Sequence, residues 1–259
     1  MDLGIRGKVA LVAASSKGLG RAVAEELAAE GAHLVMCARG KEALDKTAES
    51  IRQTTGVKVV AVAADVSNPA DAARVVKAAF DELGKVDILV TNSGGPPSGT
   101  FENLTAEMWD AATSLLLKSA VELTRAVLPG MKERRWGRIL NVTSIAAKQP
   151  IEGLMLSNSL RAAVIGFART LATEVAPFNV TVNNLLPGYT RTDRVQELAR
   201  ATGGSSTDIV SRWEKEIPMG RLCEPREFAA LAAFLASERA SYITGSSIAV
   251  DGGWIRSLL

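Results

Sequence analysis

The sequence has little of several residue types on which common enzyme chemistry depends. Its 259 residues include two cysteines, two tyrosines and a single histidine. The lone His33 excludes metal sites with several histidine ligands and serine–histidine triads, so we expect no metal. Cys37 and Cys223 form no C-x-x-C pair, which predicts a reduced protein of the cytoplasm without disulfides.

Long apolar runs and an excess of one charge are also absent. No segment approaches the roughly 18 apolar residues of a membrane span, and the first residues, MDLGIRGKVA, lack the apolar core of a signal peptide. The chain has 30 basic and 28 acidic residues, with the two signs interspersed. A dedicated nucleic-acid binder would concentrate basic residues. We therefore expect neither a membrane nor a nucleic acid as partner.

What the sequence has in abundance is short runs of Val, Ile, Leu and Ala, each typical of a strand buried on both faces. Segments with apolar residues at helical spacing lie between them. Strict alternation of the two predicts a parallel, doubly wound α/β sheet. The predicted strands are Lys8–Ala13, Ala32–Ala38, Val57–Ala63, Val86–Thr91, Arg138–Thr143, Asn179–Leu185 and Ser247–Val250. The predicted helices are 20–30, 41–53, 69–83, 105–134, 153–176 and 225–236.

Two stretches rich in glycine and serine are expected to follow strands or their extensions. They are residues 94–99 and 202–207. Loops at the carboxyl ends of strands are where such sheets bind ligands. Both stretches are therefore candidates for the rim of a binding site.

A glycine turn follows the first predicted strand and runs directly into a helix. Glycine lets the backbone approach a pyrophosphate, and the helix N-terminus offers unpaired N–H groups and a partial positive charge. A tight strand–helix turn without a ligand is the alternative interpretation. The strand, turn, helix and strand arrangement favours dinucleotide binding. The turn consists of Ser15, Ser16, Lys17, Gly18, Leu19 and Gly20.

The second predicted strand ends at Cys37, Ala38 and Arg39, without the acidic residue that would hold the ribose 2′-hydroxyl of NAD. Arg39 and Lys17 can instead pair with a 2′-phosphate, because a guanidinium offers a bidentate fork and an ammonium a point charge. Both residues could equally be solvated surface cations. The convergence of two cations on one predicted pocket favours NADP(H).

With these motifs the chain resembles the short-chain dehydrogenase/reductase family, in particular its 3-oxoacyl-(acyl-carrier-protein) reductase-like branch, over nearly its whole length. The family's first turn glycine is replaced by Ala14. The resemblance implies a single Rossmann-type domain over 1–259 with seven parallel strands, a nicotinamide cofactor, and assembly into dimers or tetramers. Beyond the glycine turn and Arg39, it assigns cofactor contacts to Asp65, Val66, Asn92, Ser93, Gly94, Arg161, Pro187, Gly188, Thr190 and Thr192.

The resemblance breaks at the catalytic positions. The family uses an Asn, a Ser and a Tyr-x-x-x-Lys pair, in which the ammonium pulls the tyrosine pKa from ~10 toward neutrality. No Tyr-x-x-x-Lys occurs in this chain, and aligning the branch places Ser157 and Arg161 at the pair. Ser144 keeps the family's serine, and Leu116 takes the place of the asparagine.

We expect an NADP-dependent oxidoreductase that acts on a small-molecule carbonyl or alcohol through Ser144, Ser157 and Arg161. A serine is too weak an acid to replace tyrosine, so the proton would come from bound water or from Lys148. The alternative is a catalytically weak or inactive nicotinamide-binding protein that serves as a sensor or as a structural partner in a mixed oligomer. Neither the substrate nor the direction of the reaction can be read from the sequence.

Two further expectations concern surfaces. The segment 194–220 falls where the family has its substrate lid, and its apolar residues suit a hydrophobic substrate or, equally, packing of the lid. Apolar residues in 226–237 and 247–259, together with the helices 105–134 and 153–176, predict a homotetramer. In the first two segments these are Phe228, Leu231, Phe234, Leu235, Ile248, Trp254, Ile255, Leu258 and Leu259.

Overall fold

A computed structural model describes residues 2–202 and 205–258, which form one parallel sheet with helices on both faces. The seven strands run in the order β3-β2-β1-β4-β5-β6-β7. They are β1 (Val9–Ala13), β2 (His33–Ala38), β3 (Val59–Ala63), β4 (Ile88–Thr91), β5 (Gly137–Val142), β6 (Val180–Pro187) and β7 (Ser247–Val250). The doubly wound parallel sheet predicted from the alternating pattern is confirmed, as is the Rossmann-type fold with seven strands that the family resemblance implies.

Nine α-helices connect or flank these strands in the described part of the chain. None of the helices there is long and apolar enough to cross a membrane. The helices are α1 (Gly18–Ala29), α2 (Lys41–Thr55), α3 (Pro69–Leu83), α4 (Ala106–Thr113), α5 (Ser119–Glu133), α6 (Met155–Val175), α7 (Asp193–Thr202), α8 (Ser206–Glu216) and α9 (Pro225–Leu235).

The sheet separates two hydrophobic cores, because successive side chains of a strand point to opposite faces. In β1, Val9 and Leu11 belong to the core that packs against α3, α5 and α6. Ala10 and Val12 belong to the core that packs against α1, α2 and α9. Burial on both faces explains why the strand sequences are continuously apolar rather than alternating.

The strand order reverses beside β1, which pairs with β2 on one side and with β4 on the other. Connections therefore leave these strands toward opposite faces of the sheet, and a crevice opens at their carboxyl ends. Every strand pair is parallel, so the segments that follow all seven strands lie at this same edge. The fold thus brings together the segments predicted to bind a cofactor.

The single helix predicted over 105–134 is interrupted. A π-helical turn over Ser114–Lys118 separates α4 from α5, and the Ser119 amide donates to the Ser114 carbonyl oxygen five residues back. The run Leu115–Leu117 is continuously apolar, so its periodicity could not reveal the extra residue in the turn. Such turns are frequent at functional sites.

The prediction that residues 202–207 follow a strand or its extension is wrong. The described residues of this stretch end α7 and begin α8, and residues 203 and 204 lie outside the described part of the chain. The surrounding segment is a helical pair with its own small core, in which Val195, Trp213 and Ile217 are buried. These apolar residues pack with one another and with Tyr189, Leu222 and Trp254 outside the segment.

Two residues proposed for an exposed apolar surface are buried instead. Phe228 and Leu235 of α9 have no exposed surface, because they face the core shared with α1. Leu231 and Phe234 are partly buried against the same core, and Leu258 is fully exposed. Leu259 lies outside the described residues. The apolar surface at this end of the sheet is therefore smaller than the sequence suggests.

The turn between β1 and α1 contains a strained residue. Ala14 has φ = 48°, in the left-handed region, at the position where the family has glycine. This conformation costs an L-residue with a side chain roughly 1–2 kcal/mol. Glycine would avoid that cost but would lose about 0.5–1 kcal/mol of chain entropy on folding.

We therefore expect Ala14→Gly to raise the free energy of unfolding by about 0.5–1 kcal/mol. Equilibrium urea denaturation measures it. Ala13→Gly is the matched control, because Ala13 is a fully buried strand residue with no positive φ. The control should lower stability, and an Ala14→Gly variant destabilised as much as the control would contradict the strain.

Candidate functional site

The glycine turn is held in place by bonds to neighbouring segments. The Ser15 amide donates to the Cys37 carbonyl oxygen at 3.0 Å. Thr47 Oγ1 in α2 donates to the Ser16 carbonyl oxygen at 3.0 Å. The turn is therefore fixed against β2 and α2, with the first N–H groups of α1 at the carboxyl edge of the sheet.

Gly20 is required by close approach rather than by its backbone angles. A Cβ atom there would lie 2.3 Å from the Ala14 carbonyl oxygen and 2.8 Å from Asn92 Nδ2. Asn92 Nδ2 also donates to the same carbonyl oxygen, at 3.4 Å. The turn after β1 and the segment after β4 thus meet across the crevice, as a phosphate cradle at a switch point requires.

The two predicted 2′-phosphate ligands have different surroundings. Lys17 Nζ lies 3.0 Å from Asp193 Oδ2 at the start of α7, and both side chains are well exposed. Arg39 is exposed at the end of β2 and makes no ion pair with any described residue. Arg39 is therefore free to bind an anion. Lys17 would either have to contact the anion and Asp193 together or have to break its ion pair with Asp193.

The other predicted cofactor residues lie at the same edge. Asp65 and Val66 follow β3, where Asp65 Oδ1 accepts from the Ser67 amide and hydroxyl. Ser93 and Gly94 follow β4. The remaining four, Pro187, Gly188, Thr190 and Thr192, lie at the end of β6 and in the turn before α7.

Ser157 and Arg161 lie on one face of α6 and contact each other. Arg161 Nε donates to Ser157 Oγ at 3.2 Å. Arg161 Nη1 donates to the carbonyl oxygens of Val142 at 3.1 Å and Thr143 at 2.7 Å. Burial lowers the pKa of Arg161 to about 10, so the guanidinium remains charged at neutral pH.

Ser144 lies two residues beyond β5 and follows Thr143, whose carbonyl oxygen accepts from Arg161. Its Oγ accepts from the Ala146 amide at 3.1 Å and caps the short 3-10 turn Ile145–Ala147. Ser157 Oγ likewise accepts, from Arg161. Within the described residues neither hydroxyl donates a hydrogen bond, so each has its hydrogen available for an oxygen atom of a ligand.

Leu116 lies in the π-helical turn and is nearly fully buried. It lines a small cavity of about 10 Å³ beside Arg161, the size of a single water molecule. The cavity wall also carries polar side chains of Thr91, Asn92 and Ser119. Leu116 is therefore core on one side and cavity wall on the other, and it offers no amide.

Neither tyrosine can take over the missing acid. Tyr189 stacks on Trp213 with the ring centroids 4.6 Å apart and meets Trp254 edge-on. Burial raises the pKa of Tyr189 to about 12, further from neutrality. Tyr242 is fully exposed after α9. Lys148, the alternative proton source, is an exposed residue just beyond the Ser144 turn.

Sequence reasoning missed two residues of α7 that close over the crevice. Asp193 pairs with Lys17, and Arg194 Nη2 donates to the Pro96 carbonyl oxygen at 2.9 Å. The guanidinium of Arg194 lies on the backbone of Gly95, where a Cβ atom would come within 2.5 Å of Nη2. Both contacts join residues far apart in the chain, and no local pattern signals them.

The arrangement can bind an oxygen atom and polarise it. The hydroxyl of Ser157 and the charge of Arg161 lie together at the end of β5, and Ser144 follows the Thr143 carbonyl that Arg161 contacts. Hydroxyl donors and a fixed positive charge of this kind can stabilise developing negative charge. The arrangement cannot easily supply a proton, because a serine hydroxyl is too weak an acid near neutral pH and the guanidinium keeps its own proton. The site can thus donate hydrogen bonds to an oxygen atom, but none of these groups transfers a proton to it.

The chain matches known proteins over most of its length. The family profile described as enoyl-(acyl carrier protein) reductase matches residues 13–255. The 3-oxoacyl-(acyl-carrier-protein) reductase FabG of Vibrio cholerae serotype O1 is 38% identical over 251 residues, which cover 97% of this chain and 98% of that relative. The human dehydrogenase/reductase SDR family member 4 is 36% identical over 250 residues, covering 96% of this chain and 88% of that relative.

A solved structure agrees with these relatives. The L-sorbose reductase of Gluconobacter frateurii, complexed with NADPH and L-sorbose, matches with a TM-score of 0.94 and 39% identity, over 100% of both chains. Agreement from end to end, in sequence and in fold, shows that the protein belongs to the short-chain dehydrogenase/reductase family of oxidoreductases.

Proposed function

We propose that the protein is an NADP-dependent carbonyl reductase in which Ser157 and Arg161 replace the tyrosine and lysine of its family. The observation that carries the proposal is the hydrogen bond from Arg161 Nε to Ser157 Oγ; Ser144, the other serine of the proposed site, caps the turn after β5. It leaves two hydroxyl hydrogens to donate to one carbonyl oxygen, next to a permanent positive charge. Relatives that are reductases, one of them solved with NADPH, support the same class of reaction.

The residues at the carboxyl edge of the sheet fit a phosphorylated dinucleotide. The backbone cradle at Gly20 admits no side chain, and Arg39 presents an unpaired guanidinium where an acid would select NAD. Lys17 stands in the turn itself. Bound there, NADPH would supply the hydride of the reduction. Arg161 would face its ribose hydroxyls, as the family lysine does.

This chain's own residues then act on the substrate oxygen. The hydroxyls of Ser144 and Ser157 donate to it, and Arg161 polarises Ser157 by donating to its oxygen. The proton that completes an alcohol comes from water, because no side chain of the site is an acid near neutral pH. Loss of a positioned general acid typically costs about 10²–10⁴-fold in rate. We therefore expect slow reduction.

A nicotinamide-binding protein without turnover, acting as a sensor or a structural partner, is the alternative that the altered site supports. The two are separated by a fluorescence titration with NADPH followed by a panel of ketones and 3-oxoacyl compounds. Saturable binding with oxidation of NADPH supports the reductase. Saturable binding with no oxidation by any compound supports the alternative.

The choice of cofactor is tested by reversing one charge. We expect NADPH to bind more tightly than NADH, and Arg39→Asp to narrow or reverse that preference, because a charge-assisted hydrogen bond contributes about 1.5–3 kcal/mol. Fluorescence titration of both cofactors measures it. Arg6→Asp is the control, because Arg6 is exposed and precedes β1 at the opposite edge of the sheet. Equal affinities of the wild type for both cofactors at physiological salt would refute the assignment.

The altered catalytic pair is tested by rebuilding the family's pair. We expect Ser157→Tyr with Arg161→Lys to raise carbonyl reduction by about 10²-fold or more, because the acid returns. Adding Leu116→Asn tests separately whether an amide at the cavity helps, at a cost of a few kcal/mol if the amide finds no partner. Ser159→Tyr with Arg161→Lys is the control, because Ser159 is exposed on another face of α6.

A triple variant that binds NADPH normally and stays inert toward the whole panel would contradict the reductase proposal. It would mean that residues 157 and 161 do not face the reacting atoms, and it would favour the alternative without turnover. If the control double variant is as active as the double variant with Ser157→Tyr, the alignment that places Ser157 at the family's tyrosine position is contradicted.

We also propose a homotetramer built through the α9 and C-terminal end together with the helices of residues 106–133 and 155–175. Multi-angle light scattering at micromolar concentration should return the mass of four chains. Leu258→Glu should lower that mass, because Leu258 is fully exposed in the single chain. Met219→Glu, which changes an exposed residue of the 194–220 segment, should not. A monomer mass for the wild type would refute the assembly.

A further inference from the structure

Among the described residues, the charge of Arg161 has no acidic counterpart. Its Nε and Nη1 are bonded to a serine hydroxyl and two backbone carbonyl oxygens, and no carboxylate of a described residue lies within ion-pair distance. The charged group that affects it most is another cation, Arg194. A partly buried guanidinium compensated only by neutral oxygen atoms favours the approach of an anion.

Arg194 extends this positive region to the opposite wall of the crevice. It reaches from α7 to the loop after β4, where its Nη2 bonds the Pro96 carbonyl oxygen and its fork lies on Gly95. Its one acidic partner among the described residues is Glu197 on the next helical turn, with Nη1 and Oε2 3.4 Å apart. That contact is solvent-exposed and weak, so it leaves the guanidinium open to a better acceptor.

The neighbouring groups do not cancel these charges. Asp193, the acidic residue next to Arg194 in the chain, is already paired with Lys17 at 3.0 Å. The apolar residues of the segment, such as Val195 and Trp213, turn away into their own core. Arg194 contacts the loop after β4 and Arg161 contacts the end of β5, so two arginines border the crevice between these two segments.

We infer that the substrate is a keto acid, with its carboxylate held by Arg194 and its carbonyl oxygen by Ser144 and Ser157. The planar fork of a guanidinium matches the two oxygen atoms of a carboxylate. Arg161, bonded to Ser157 and to the end of β5, adds a second positive charge to the site. The inference rests on the proposed function, because it assigns the substrate of the same site.

The experiment compares an acid with its neutral ester. The probes are 4-phenyl-2-oxobutanoate and its methyl ester, which differ by one charge and have the same carbonyl group. Isothermal titration calorimetry of the NADPH complex measures the affinity for each, and NADPH absorbance measures turnover separately. The wild type should bind the acid about tenfold or more tightly than the ester, as expected for a charge-assisted contact.

Substitutions on one helix locate the effect. Arg194→Gln should lower the acid-to-ester affinity ratio to near one, and Arg194→Lys should retain part of it. Arg200→Gln is the matched control, because it removes the same charge from an exposed position of α7 and should leave the ratio unchanged. Thermal denaturation of each variant verifies that the segment remains folded.

The outcomes separate the inference from the proposed function. Preferential binding of the acid that depends on Arg194, without oxidation of NADPH, supports the inference and contradicts the reductase. Oxidation of NADPH by both probes, with equal affinities, supports the reductase and overturns the inference. Failure of the acid to bind at millimolar concentrations, or equal effects of the substitutions at 194 and 200, overturns the inference as well.

Discussion

The bonds from Arg161 to the end of β5 hold the candidate site together. One guanidinium connects α6 to the carbonyl oxygens of Val142 and Thr143 and also orients Ser157. Carbonyl groups at the end of a strand need hydrogen-bond donors, because leaving a buried carbonyl group unpaired is costly. The same guanidinium group therefore stabilises the end of β5 and places a positive charge in the site. A lysine, with one compact ammonium, could not make this set of three contacts in a single plane.

A fixed positive charge also changes what the site can do. In a tyrosine and lysine pair, the ammonium makes a phenol acidic enough to release its proton. Here the group that is polarised is a serine, whose acidity is far too low for the same step. The site can thus hold an oxygen atom by hydrogen bonds, but it has no acidic side chain to supply a proton. In the proposed reductase, water would supply the proton that the tyrosine supplies elsewhere in the family.

The strands and helices could be predicted closely, because burial on both faces of the sheet makes the strand sequences continuously apolar. Strand β7 and helix α3 have the predicted bounds, and the other strands differ by one or two residues at their ends. The π-helical turn was missed because an unbroken leucine run has no period. The loop at 202–207 was wrongly assigned because glycine and serine mark a turn equally well between two helices.

The residues of the candidate site could be predicted from the sequence, whereas their contacts could not. Glycine spacing and the position of Arg39 predict the cofactor edge, and counting from Ser144 along the family pattern predicts Ser157 and Arg161. The ion pair between Lys17 and Asp193 joins residues 176 positions apart, and the hydrogen bond from Arg194 to Pro96 spans 98 positions. Side-chain contacts of this kind depend on how α7 is placed over the sheet, which no local pattern encodes.

The separate core of the α7 and α8 pair has a consequence for motion. Val195, Trp213 and Ile217 belong to neither of the two cores that flank the sheet. Breaking their contacts therefore exposes only this small cluster and leaves the sheet packed. Local opening then has a free energy of its own, well below that of global unfolding. The side chains that hold the α7 and α8 pair closed over the crevice are thus different from those that stabilise the sheet.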